Sequence, residues 1–278
     1  MTEAGQYAHV NGLEMYYELH GAGRPLVLIH GGGSTIETSF GRILPLLART
    51  HQVIAVEVQA HGHTRDIDRT VSFEQDADDV AALLEQLGAE PADVLGFSNG
   101  GTTALQMGIR HPKRVRRLVV ASANYKRNAM PDGFWESMAA AKFSDMPQVY
   151  KDIYHRITGD RERLMAMFRR SSQRMQRFTD IPDAEIRSIA APVLVMTGDQ
   201  DVIRPEHAVE LFRALPNGRL CILPGGHGAY FGEIMTPDVP ARVVGTRRAP
   251  FRSGNDQRSR ARHTLCPAGR ARRPAAGR

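Results

Sequence analysis

The chain predicts an α/β protein: a mostly parallel central sheet with helices on both faces. Three observations carry this. Short apolar runs at 25–30, 52–58, 92–97 and 115–121 alternate with stretches of helical period. The runs are apolar throughout rather than alternating, as strands covered on both faces are. Glycine-rich turns follow several of them, at Gly31, Gly96 to Gly100, Gly198 and Gly225. Sheets of this kind bind ligands beyond the carboxyl ends of their strands.

Each element has its own signal. Residues 7–20 read as a hairpin, because Asn11-Gly12 sits between two strand-like runs. Residues 25–30 are a strand, 40–49 suit a helix and 52–58 are a strand. The clearest helix is 72–87. Ser72 and Gln75 form a capping box, Val80, Leu83, Leu84 and Leu87 share a face, and Gly88 stops it. Strand 92–97, helix 99–111 and strand 115–121 follow. From about 124 to 183 the pattern is helical without a strand. It holds Met130, Met138, Met146, Met165, Met167 and Met175, whose adaptable side chains suit a pocket roof as well as a helix core. Strand 192–197, a helix near 205–215 and strand 219–223 resume the alternation. Residues 229–235 begin a helix that Pro237 and Pro240 interrupt.

Composition bounds the function classes. A chain of 278 residues with 42% hydrophobic and 24% charged content is that of an ordinary globular protein. No apolar run approaches the roughly 20 residues that span a bilayer. The first residues lack the regions of a signal peptide, so a cytoplasmic location is expected. Cys221 lies in an apolar run and Cys266 in a polar tail, an arrangement that suggests neither a disulfide nor a metal site. The net charge of +6 misleads. Residues 245–278 carry ten arginines and a single acid, Asp256, so the remainder is mildly acidic. That tail reads as disordered, and no nucleic-acid or membrane partner is expected.

Four features carry chemistry. Gly96-Phe97-Ser98-Asn99-Gly100 joins a strand to a helix. A serine on so sharp a turn is held exposed, and the helix N-terminus beyond it presents the Asn99 N–H to a developing anion. His30-Gly31-Gly32-Gly33 also follows a strand, and its side-chain-free backbone can aim the Gly32 N–H at the same point. In Thr197-Gly198-Asp199-Gln200-Asp201, either aspartate could orient a histidine; either could instead cap a helix. Pro224-Gly225-Gly226-His227-Gly228 presents an imidazole on a mobile turn. Each is a common turn when taken alone. Together they place Ser, Asp and His at the ends of three strands, in the order of one serine-triad fold and not of the other two.

On these residues the sequence resembles the α/β-hydrolase fold superfamily from residue 7 to about 244. The resemblance implies a core from 1–123 and 186–244 and an inserted helical cap at 124–185. It implies Ser98 as nucleophile, His227 as general base, and the N–H groups of Gly32 and Asn99 as the oxyanion hole. Asp201 matches the acid better than Asp199, because Val202-Ile203 and then Pro205 follow it. Gln59-Ala60-His61-Gly62-His63-Thr64 is similar to a structural turn of the family, with departures at Gln59, Ala60 and His63. The resemblance implies hydrolysis of a small carboxylic ester through an acyl-enzyme, with no cofactor. Lactonase, thioesterase, perhydrolase, C–C hydrolase and a non-catalytic binding role on the same fold remain alternatives. A metal hydrolase is disfavoured: the H-x-H-x-D-H pattern needs an aspartate at 65 and a histidine at 66, where Arg65 and Asp66 stand.

Overall fold

A computed structural model describes residues 5–235. The expectations for the tail at 245–278 lie outside these residues, as does the end of the core segment.

Eight strands form one sheet in the order β1-β2-β4-β3-β5-β6-β7-β8. Strands β1 (Gln6–Val10) and β2 (Leu13–His20) make the expected hairpin. Asn11 and Gly12 both take positive φ, 48° and 81°, as a type I′ turn requires. Strand β2 pairs antiparallel with β4 (His51–Glu57). The remaining pairings are parallel: β4 with β3 (Arg24–Ile29), β3 with β5 (Ala92–Phe97), β5 with β6 (Val115–Ala121), β6 with β7 (Val193–Gly198), and β7 with β8 (Gly218–Leu223). The sheet is therefore mostly parallel.

Both faces are covered. On one, α3 (Phe73–Leu87), α4 (Asn99–Arg110) and α9 (Pro205–Ala214) bury Val80, Leu83, Leu105, Met107 and Leu211 against Val27, Val94, Val120 and Val195. On the other, α1 (Ile36–Phe40) and α2 (Leu44–Leu47) pack Ile36, Phe40 and Leu44 on Leu26, Leu28, Val53 and Ala55.

Three elements differ from expectation. The helix at 40–49 is two short ones. Thr35 caps α1, which begins at Ile36, four residues earlier, through a capping box with Thr38, and the chain leaves α1 at Gly41. Helix α3 has only half of its box: the Ser72 hydroxyl accepts from the Gln75 N–H at 3.0 Å, but the Gln75 amide turns to Asp79, also at 3.0 Å. The expected helix at 229–235 is a single 3-10 turn over Ala229–Phe231, ended by Gly232 at φ 77°.

Between β6 and β7 the described chain has only helices. These are α5 (Phe134–Ala140), α6 (Gln148–Thr158), α7 (Arg161–Arg177) and α8 (Asp183–Arg187), with 3-10 turns at Arg127–Ala129 and Phe143–Asp145. The turn that follows β4 seats α6 and α7. Tyr154 Oη donates to the Ala60 carbonyl at 3.0 Å, and Arg163 to the carbonyls of Gly62 and His63, each at 3.0 Å. Arg170 reaches Asp66 at 2.7 Å, and Arg174 forms a buried ion pair with Asp76.

Candidate active site

Ser98 stands between β5 and α4 with φ 54° and ψ −121°, a conformation that side chains rarely adopt. Glycines make the turn possible. A Cβ on Gly96 would lie 2.0 Å from the Gly100 carbonyl oxygen, and one on Gly100 2.1 Å from that of Ile29. Strand, turn and helix therefore close to backbone contact, which fixes the serine hydroxyl at the strand's carboxyl end.

His227 lies on the loop after β8, with its ring 4.7 Å from that of Phe97, the residue before Ser98. Its Nδ1 is 2.7 Å from Asp201 Oδ1. The Asp201 side chain is wholly buried while that of His227 is 32% exposed, so the pair has a dry end and an accessible end. Asp201 Oδ1 also accepts from the Ile203 N–H at 3.0 Å. Oδ2 accepts from Ser122 Oγ, and Thr197 Oγ1 and the Gly198 N–H lie 3.3 and 3.4 Å away. Burial alone would raise this carboxyl. The bonds from His227, Ser122 and Ile203 outweigh it and hold Asp201 below its ordinary value, so it is ionised at neutral pH. Asp199 does something else: its Oδ1 accepts from the Gly225 N–H at 2.8 Å and pins the loop that carries His227.

The glycine loop after β3 completes the constellation. The Gly31 N–H donates to Ser39 Oγ and the Gly33 N–H to His61 Nε2, both at 3.2 Å. Among the described residues the N–H groups of Gly32 and Asn99 have no protein acceptor. The two residues abut, since a Cβ on Gly32 would lie 2.3 Å from Asn99 Nδ2. His30 and His61 are buried and support this loop. His30 lies 2.7 Å from the Gly31 carbonyl through Nδ1 and accepts from the Val58 N–H at 3.3 Å. His61 Nδ1 bonds the Gln59 carbonyl at 2.9 Å, and its Nε2 also meets Ser171 of α7 at 3.0 Å. Burial lowers both imidazoles, which stay neutral and able to accept.

Gly32, Ser98, Asn99 and His227 line one cavity of about 350 Å³. Five of the six methionines singled out in the sequence line it too; Met165 does not. Asp201 lies behind His227 and reaches the cavity through that ring. Among the described residues no group of three or more His, Cys, Asp or Glu could hold a metal ion, and no helix is long and apolar enough to cross a membrane.

Sequence reasoning missed four residues here. Ser122 has φ 50° and stands one residue past the β6 end, next to Thr197 in register. Its Oγ lies 2.8 Å from Tyr230 Oη, so the 3-10 turn after His227 joins the Asp201 network. A polar residue closing an apolar strand was the available signal for Ser122. Tyr150 on α6 donates to the buried carboxylate of Glu233, a contact across 83 residues that no local pattern announces.

The sheet order, the serine on its strand-to-helix turn and the covered carboxyl edge define the class. The chain belongs to the α/β hydrolase fold family, whose model matches residues 24–176. It is 30% identical to 2-hydroxymuconate semialdehyde hydrolase from Pseudomonas sp. over 73% of this chain and 79% of the relative. It is 29% identical to a pimeloyl-[acyl-carrier protein] methyl ester esterase of Neisseria meningitidis over 75% of this chain and 87% of the relative. A solved serine hydrolase involved in carbazole degradation (CarC enzyme) has the same fold, with a TM-score of 0.68 at 23% identity over 82% of this chain and 93% of that one.

Proposed function

We propose that this hydrolase cleaves small carboxylic esters with Ser98 as nucleophile, His227 as general base and Asp201 as the orienting acid. One observation carries the reading: Ser98, on a strained turn, opens on the same cavity as an imidazole whose other nitrogen is bonded to a buried, ionised carboxylate.

Asp201 fixes the tautomer, keeping the proton on His227 Nδ1 and the lone pair on Nε2. Nε2 takes the Ser98 proton as Oγ attacks the ester carbonyl. The negative charge moves to the carbonyl oxygen, where the N–H groups of Gly32 and Asn99 receive it; one such donor is worth roughly 3–4 kcal/mol in the barrier. The imidazolium then protonates the departing alcohol. Water, deprotonated by the same nitrogen, releases the acid and restores Ser98.

Turnover of a short-chain p-nitrophenyl ester, lost in Ser98→Ala, tests this, together with fluorophosphonate labelling mapped to Ser98. Undiminished turnover by the alanine variant would remove the serine from the mechanism. The likeness to 2-hydroxymuconate semialdehyde hydrolase favours a second reading, C–C bond hydrolysis on the same residues. Cleavage of 2-hydroxymuconate semialdehyde with no ester turnover would select it.

A further inference from the structure

Resting on the ester-hydrolase reading, we propose that the cavity selects an uncharged, apolar ester and rejects substrates bearing a second carboxylate. Most of the wall is thioethers and rings, Met130, Met138, Met167 and Met175 with Phe134 and Phe168, and the hydroxyls of Ser171 and Ser172 are its small polar part. Unbranched methionines fit apolar groups of varied shape, and none of these six side chains can solvate a charge.

The charges around the wall are arranged against an anion. No arginine lines the cavity among the described residues, and the single cation there is Lys142. Lys142 is exposed and shares its turn with the exposed Asp145, whose carboxylate accepts the Lys142 N–H at 2.8 Å. That rim is neutral overall. Tyr150, the one phenol in the lining, has its proton committed to Glu233. The other Glu233 oxygen takes the Met235 N–H at 2.7 Å. Tyr150 therefore offers the cavity no donor, and a buried carboxylate lies behind it. Burial and Glu233 both hold the phenol above its ordinary range, so it stays protonated and bonded. An incoming carboxylate would lose its water, find no cation beyond the exposed Lys142 beside Asp145, and face the buried Glu233 carboxylate.

The test compares p-nitrophenyl hexanoate with the p-nitrophenyl half-ester of adipic acid, which has the same chain length and a terminal carboxylate. Wild type is expected to show kcat/KM at least about a hundredfold higher for the neutral ester. Equal rates within about threefold would overturn the proposal while leaving the hydrolase reading intact. A binding arm uses Ser98→Ala with methyl hexanoate and monomethyl adipate, read as thermal stabilisation. Stabilisation by the neutral ligand alone supports the selectivity even if wild type hydrolyses neither ester, which would sink the hydrolase reading by itself. Met138→Arg places a cation in the wall and should raise the half-ester relative to the hexanoate by about tenfold or more. A correctly melting variant with an unchanged ratio would overturn the electrostatic reason.

Discussion

Replacing Asp201 by asparagine removes one charge at almost constant shape, and the surroundings set the size of the effect. The carboxylate takes its bonds from donors: His227 Nδ1 and the Ile203 N–H on Oδ1, Ser122 Oγ on Oδ2, with Thr197 Oγ1 and the Gly198 N–H nearby. An asparagine must turn its NH₂ toward one of these sets. Placed at the Oδ1 position, the NH₂ would force His227 to accept through Nδ1, putting the proton on Nε2 and removing the base. Placed at the Oδ2 position, it would face the Gly198 N–H, and the imidazolium would still lose its counter-ion. A pair bonded at 2.7 Å has charge centres roughly 4 Å apart, worth about 4 kcal/mol at an effective dielectric of about 20. The expectation is a fall in kcat of roughly a thousandfold or more, with KM little changed. Steady-state kinetics on a p-nitrophenyl ester measures it, with circular dichroism confirming the fold. Asp199→Asn is the control: its amide oxygen can still accept from the Gly225 N–H, so the loss should stay within about fivefold. An Asp201→Asn enzyme within tenfold of wild type, or a severe Asp199→Asn defect, would refute the assignment.

Ser98→Gly should abolish turnover yet raise stability by about 1 kcal/mol, because relief of the positive φ outweighs glycine's extra unfolded entropy. A lowered melting temperature would count against strain at the turn. Gly100→Ala puts a Cβ 2.1 Å from the Ile29 carbonyl and should cost more than about 3 kcal/mol, read as a loss of soluble, cooperatively melting protein. His207 is buried, accepts from the Tyr125 N–H, and is pushed down to about 4 by burial. The unfolded chain takes up this proton first, so the stability it contributes is complete above about pH 6.5 and is lost as pH falls toward 4, up to about 3 kcal/mol. His207→Gln should therefore flatten the melting temperature between pH 7 and 4.5; an unchanged slope would remove His207 as a source of acid lability.

Local signals along the chain sufficed for the class of fold and for most of its elements. Apolar runs at strand length, the Asn11-Gly12 turn, the Ser72 cap and the glycines around Ser98 act through local backbone preference and sterics, which neighbouring residues specify. The same local rules missed the start of α1, where Thr35 and burial of Ile36 and Phe40 against the sheet decided the boundary. They also overextended the segment after Gly228. Packing settled whatever depends on distant side chains meeting. It separated Asp201 from Asp199, because which carboxylate turns inward depends on the sheet register that sets Ser122 and Thr197 beside it. It gave the turn at 59–64 its task of seating α6 and α7. It placed Glu233 behind Tyr150, a pairing no periodicity encodes, since burial of a charge is a property of the packed chain and not of its order.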